Sequence, residues 1–160
     1  MVAAEVDILL VEDEAADAEF VLRALRKRAL DNAVHHVLDG AEALEFLFSK
    51  GRYADRAGVP GPRVVLLDLH LPKVSGREVL RQLRQHDCTR HLPVVAWTSS
   101  SDRTEMQACY ALGINSYVVK PLDYGDFASA ASEVGHYWLQ RNRAERSDVG
   151  PQGSSGPVTV

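Results

Sequence analysis

Five residues have the types that phosphoryl chemistry needs: the acidic pair Glu12-Asp13, then Asp68, Thr98 and Lys120. Each stands at the carboxyl end of a short apolar run, as in Leu9-Leu10-Val11-Glu12 or Val118-Val119-Lys120. Taken singly they are ordinary, since an acid after a strand is often a turn residue or a helix cap. At matching ends of one parallel sheet they converge on a single crevice, where such sheets place their ligands. Three carboxylates held together repel one another unless a cation neutralises them. Mg²⁺, with Mn²⁺ as a substitute, suits such a set because it takes one or two carboxylates, keeps waters and binds phosphate oxygens. Asp68 is then a candidate nucleophile that forms an acyl phosphate. The ion and the Lys120 ammonium neutralise the transferred group, the Thr98 hydroxyl donates to it, and the backbone carbonyl of His70 completes the metal shell.

The elements that must position these residues are legible as alternating apolar runs and helical stretches. Strands are predicted over Val6–Val11, 33–38, Val64–Leu67, Pro93–Trp97 and Ser116–Val119. Helices are predicted over 17–30, from Ala41 to Phe48, over 75–86, over 102–112 and over 124–143, on apolar positions recurring at helical spacing. Asp39-Gly40 is read as a helix-initiating turn and Gly113 as a helix C-cap, while 51–62 is read as a loop. Phe127, Ala130, Ala131, Val134, Tyr137 and Trp138 share one stripe of the last helix. Met106, Cys109 and Tyr110 share a face of the preceding one. Arg77, Arg81 and Arg84 are expected to point outward. Five successive βα units with uniformly apolar strands argue for a flavodoxin-like (βα)5 fold. It is a doubly wound parallel sheet in the order 2-1-3-4-5 with helices on both faces.

Composition narrows the function classes. The 160 residues are 46% hydrophobic and 25% charged, with a net charge of -4, which fits one soluble globular domain and gives nucleic-acid binding no electrostatic support. No apolar run approaches the ~18 residues of a membrane span, so a cytoplasmic protein is expected. Cys88 and Cys109 have no metal-site spacing. The six histidines show no HxxxH or HExxH pattern and are read as structural or surface groups.

The segments ILLVEDE, VVLLDLHLPKVSGREVL, PVVAWTSS and SYVVKP, in this order, resemble the receiver domains of two-component response regulators. The resemblance implies that Glu12 and Asp13 are the acidic Mg²⁺ pair, Asp68 the phosphoacceptor and Lys120 the phosphate-pairing lysine. It further implies that Thr98 and Tyr117 form the switch pair and that Lys120-Pro121 is a cis peptide. A narrower resemblance is carried by DGAEALEFL, the 53–62 loop, WTSSSD, KPLDYGDF and HYWL. These are similar to the single-domain regulators that serve bacterial phytochrome histidine kinases, which makes such a kinase the expected partner. Ser75 stands where Asp or Asn is common in the family, and Trp97 is bulkier than the usual aliphatic residue, with an expected effect on packing beside Thr98. His70 and Ser100 are expected to tune hydrolysis of the aspartyl phosphate.

The receiver is expected to span 1–146, with 147–160 a Gly-, Ser- and Pro-rich disordered tail too short and polar for a DNA-binding effector. Output is therefore expected through protein contacts, or as an intermediate or phosphate sink in a relay with another kinase. Three consecutive large residues, Tyr137-Trp138-Leu139, cannot all face one core, so a homodimer surface near the last helix is expected, with Tyr137 and Trp138 as candidates. Rival readings fit less well. A haloacid-dehalogenase-type phosphatase needs an acid where His70 stands, and a nucleotide or flavin cradle would be glycine-rich where Glu12-Asp13-Glu14 is acidic.

Overall fold

Each strand is only four or five residues long, and β1 (Ile8–Val11), β3 (Val64–Leu67) and β4 (Val94–Thr98) are buried along their whole length. That explains apolar runs without alternation, because helices cover both faces of these strands. The edge strands β2 (Val34–Val37) and β5 (Ser116–Val119) are only partly buried. The computed structural model describes residues 3–31 and 33–143; the expected tail at 147–160 lies outside them. All pairings are parallel and the strand order is β2-β1-β3-β4-β5, as the (βα)5 reading requires.

Successive strand residues point to opposite faces, and two cores result. Helices α2 (Gly40–Leu47), α3 (Gly76–Gln85) and α4 (Arg103–Ala111) bury Phe46, Leu80 and Cys109 with Leu9, Val11 and Leu67 on one face. On the other, α1 (Ala15–Lys27) and α5 (Tyr124–His136) bury Val21, Leu25 and Phe127 with Ile8, Leu10 and Trp97. Caps fix the helix starts: Asp39, Ser75, Asp102 and Asp123 accept from the backbone N–H of Glu42, Glu78, Thr104 and Asp126 respectively. Gly113, at φ +91°, follows α4 in the left-handed region, as its reading as a C-cap requires.

Several expectations change once tertiary contacts are considered. Residues 51–62 are not all loop, because Gly51–Arg56 form a short 3-10 helix. Its anchors are the Tyr53 hydroxyl, which donates to Glu42, and the buried Arg56, which donates to the Ala4 carbonyl and lies over the Phe46 ring. Arg84 does not point outward with Arg77 and Arg81. Its guanidinium donates to the carbonyls of Gly113 and Leu92 and to the Asn115 side chain, tying α3 to the loop before β5. Tyr110 is half exposed and only Cys109 of its expected face is fully buried.

The last helix ends at His136 rather than Arg143 and gives way to a π-helical turn, Tyr137–Arg141. Leu139 is buried and Trp138 partly packed on the core, whereas Tyr137, still in α-helical register with α5 through its N–H to the Glu133 carbonyl, lies at the rim of the stripe and is 50% exposed. Trp97 does not pack beside Thr98. Strand alternation sends it to the opposite face, edge-on to Phe127, where its indole N–H is buried without a hydrogen-bond partner among the described residues.

Candidate functional site

Strand register brings the site residues together. Val11 is paired with Leu67, so Glu12 and Asp68 follow side by side, and the Asp68 N–H donates to the Val11 carbonyl. Thr98 is paired with Val119, and the next residue, Lys120, donates its N–H to the Thr98 carbonyl. The ladders thus extend one residue beyond the strands and fix the backbone of both Asp68 and Lys120.

At the centre is the Lys120 ammonium. Its Nζ donates to Asp17 Oδ2 at 2.9 Å, Glu12 Oε2 at 3.0 Å and Asp68 Oδ2 at 3.1 Å. Glu12 is fully buried, and Asp68 and Lys120 are each only 7% exposed. The other oxygen of Glu12 accepts from the Glu14 N–H, and the other oxygen of Asp68 accepts from the His70 N–H. One carboxylate oxygen each from Glu12, Asp13 and Asp68 lie within 4.8 Å of one another. These hard oxygens carry more negative charge than one ammonium offsets, and they fit a divalent cation of the Mg²⁺ or Mn²⁺ kind.

Burial pushes the Glu12 carboxyl up to about 8; the Asp68 charge adds to this and Lys120 opposes it. Burial works against the charge on Lys120. Hydrogen bonds to Asp17 and Glu12 and the charge of Asp68 outweigh it, so the ammonium is held above its ordinary range. Burial and the neighbouring Asp68 thus disfavour the charged form of Glu12, and Lys120 favours it.

Thr98 ends β4 at the sheet's carboxyl edge, while Tyr117 lies two residues before the end of β5, paired with Ala96, and the two are linked through a third residue. The Ser100 N–H donates to Thr98 Oγ1, and the Tyr117 hydroxyl donates to the Ser100 carbonyl. The Ser100 hydroxyl in turn donates to Glu105, whose carboxylate lies 3.2 Å from His70 Nε2. Ser100 and His70, quoted from sequence as separate groups, are thus parts of one strap joining the loop after Asp68 to α4.

The peptide before Pro121 is trans, not cis, as are all peptide bonds among the described residues. Trans is the lower-energy isomer even before proline, and in it Lys120 already reaches the three carboxylates. Tyr137 and Trp138 lie away from the site, at the amino edge of the sheet. There they line a groove of about 380 Å³ with Asn115, Ser116, Glu133 and Val134. Asp17 and Glu105 escaped the sequence reading. Asp17 is an acid in the first turn of α1, four residues after Asp13, and such acids usually do no more than complement the helix dipole.

A family model described as the response regulator receiver domain matches residues 8–132. "Probable methanogenesis regulatory protein FilR2" of Methanothrix harundinacea (strain 6Ac) is 39% identical over 137 residues, covering 86% of this chain and 86% of that protein. Response regulator Rcp1 of Synechocystis sp. is 35% identical over 133 residues, 83% of this chain and 88% of that protein. The crystal structure of its Mn²⁺-bound form superposes with a TM-score of 0.81 at 34% identity, covering 89% of this chain and 99% of that one. The structure of the bacteriophytochrome response regulator AtBRR gives a TM-score of 0.68 at 44% identity, covering 88% of this chain and all (100%) of that one. Among the described residues no helix is long and apolar enough to cross a membrane. With the fold, the register and the acidic edge in agreement with these likenesses, the chain belongs to the response regulator receiver family of two-component signalling proteins.

Proposed function

We propose that the chain is a phosphorylation-dependent switch in which Asp68 accepts a phosphoryl group from the phosphohistidine of a sensor kinase. Glu12, Asp13, Asp68 and the backbone carbonyl of His70 would hold Mg²⁺, which supplies charge neutralisation for the phosphoryl oxygens. The observation that carries this reading is the buried Lys120 ammonium, hydrogen-bonded to Asp68 and Glu12 beside Asp13 at the carboxyl edge of the sheet. No metabolic turnover is part of it; the chemistry is the chain's own phosphorylation and dephosphorylation.

An Asp68 carboxylate oxygen bonds to phosphorus as the donor's P–N bond breaks; the bonding pair goes to the ring nitrogen, and the imidazole leaves neutral because its other nitrogen already carries a proton. His70 N–H holds one Asp68 oxygen, which orients the carboxylate. Lys120 donates to the other and can pass that N–H to a phosphoryl oxygen. Thr98 Oγ1 accepts from Ser100 and so keeps its own proton to donate to the phosphoryl group. Any movement of Thr98 is felt by Tyr117 through Ser100, which supports the switch-pair reading.

Incubation with Mg²⁺ and acetyl phosphate, followed by phosphate-affinity electrophoresis, tests the assignment. A retarded band is expected for the unaltered chain and none for Asp68→Asn. A band that persists in Asp68→Asn, or no band in either protein, overturns the reading.

The likeness to AtBRR supports a bacteriophytochrome as the kinase. The alternative is an intermediate or sink in a relay with another kinase; FilR2, named as a probable methanogenesis regulatory protein, is a relative whose name does not tie it to a phytochrome. Phosphotransfer from a purified bacteriophytochrome, compared with other kinases, distinguishes the two. Output is proposed to run through protein contacts, with neither DNA nor a membrane as partner, from a cytoplasmic receiver spanning 1–146.

A homodimer through the α5 end is part of the same proposal. Its support is apolar exposure on neighbouring elements: Tyr110 on α4, Val119 on β5 and Tyr137 after α5. Light scattering is expected to give a dimer for the unaltered chain and a lower mass for Tyr137→Ala. Equal masses for the two proteins refute the assigned surface.

A further inference from the structure

We propose that Asp17 is a positioning residue that keeps the Lys120 ammonium at the site when Glu12 and Asp68 turn their oxygens to a divalent cation. This rests on the metal and phosphoacceptor reading above. An ammonium has three N–H donors, and Lys120 spends them on three carboxylates, those of Asp17, Glu12 and Asp68. Two of these partners belong to the acidic group whose oxygens lie within 4.8 Å of one another, and Asp17 stands outside it. Cation and ammonium therefore compete for Glu12 and Asp68 and repel each other. Asp17 is the partner that the competition leaves to Lys120.

The consequences have a definite sign. With Asp17 in place, Lys120 can release Glu12 and Asp68 to the ion without losing every acceptor, so the ion binds more tightly. With Asp17 removed, the nearly buried ammonium has only the ion's ligands Glu12 and Asp68 left as acceptors and holds on to them, so metal affinity falls. The support under Asp17 is rigid. Val21 and Leu25 of α1 are fully buried, and α5 approaches so closely at Gly135 that an added Cβ would stand 2.4 Å from Leu25 Cδ2. As an acid in the first turn of α1, Asp17 also complements that helix's dipole. That role does not involve Lys120, and the two are separable by experiment.

The test is a double-mutant cycle read by isothermal titration of Mg²⁺ into the unaltered chain, Asp17→Asn, Lys120→Met and the double variant. Asp17→Asn is expected to weaken Mg²⁺ binding about tenfold when Lys120 is present, and by less than about twofold in the Lys120→Met background. The charge lost at position 17 is the same in both backgrounds and cancels in the comparison. Asp17→Glu, which keeps a carboxylate on a longer arm, is expected to recover most of the affinity. Equal weakening in both backgrounds, or no weakening in either, overturns the role of Asp17 and leaves the metal reading intact. An unaltered chain that takes up no Mg²⁺ overturns the metal reading and this inference with it.

Discussion

Gly76→Ala is expected to destabilise the fold by about 3 kcal/mol or more, the range of an overpacked site that cannot relax. The glycine is not there for its backbone freedom, since its φ is not positive and it opens α3 behind the Ser75 cap. By helix propensity alone, alanine would be favoured by up to about 1 kcal/mol. Packing decides against it. A Cβ at this position would stand 2.3 Å from the Asp68 carbonyl oxygen and 2.7 Å from the Leu69 Cα, both backbone atoms. The Gly76 N–H also donates to the Leu69 carbonyl, so α3 cannot slide away without breaking that bond. Relief must come from moving the peptide that carries Asp68 itself. Urea unfolding of Gly76→Ala beside Gly61→Ala checks this, because a Cβ at Gly61 meets nothing within 4 Å. Equal midpoints for the two variants would show that the Asp68 backbone yields freely.

Lys120→Met is expected to be the most pH-sensitive change in the site. It strips the shared cation from Glu12, Asp17 and Asp68, of which Glu12 is fully buried and Asp68 nearly so. Breaking a buried ion pair by removing one partner costs about 3–5 kcal/mol when the remaining charge cannot be neutralised. Here it can be, by protonating Glu12, so the loss depends on pH.

In the unaltered, metal-free chain the Glu12 carboxyl is raised from 4.5 to about 8. Between those values the folded chain holds a proton that the unfolded chain has released. The stability this group contributes is complete below pH 4.5, declines as pH rises and is gone above about 8. Without Lys120 the Glu12 carboxyl rises further, and the decline extends to higher pH. The variant is therefore expected to approach its parent near about pH 6 and to fall well below it near about pH 9. Saturating Mg²⁺ is expected to restore much of the difference by replacing the lost positive charge. Denaturant midpoints at the two pH values, with and without Mg²⁺, check this. Parent-like stability near the higher pH without the ion would contradict the account.

The fold class, the strand order and the grouping of Glu12, Asp13, Asp68, Thr98 and Lys120 at one edge of the sheet were legible in the amino-acid sequence, for a local reason. An apolar run closed by a polar residue marks the end of a strand whichever neighbours it acquires, and parallel βα units put all such ends on one edge. Glu12, Asp13, Asp68, Thr98 and Lys120 follow from that rule without knowledge of any contact. Residues whose role depends on a partner distant in sequence were not legible.

Asp17 reads as a helix-start acid until Lys120, 103 positions away, is brought to it. Arg84 reads as a solvated charge until the loop before β5 offers it the Gly113 carbonyl and the Asn115 side chain. Tyr137 reads as part of an apolar stripe until the packing of α5 on the sheet leaves it at the rim, half exposed. Gly76 falls inside the helix predicted over 75–86 with nothing to single it out until the Asp68 carbonyl is found against it. Periodicity and strand ends are properties of a short stretch of chain, so the sequence alone determined the sheet and the residue types gathered at its edge. Close backbone approach and shared counter-ions are set by the distances between segments, and only the tertiary structure decided how that edge is held and which residues hold it.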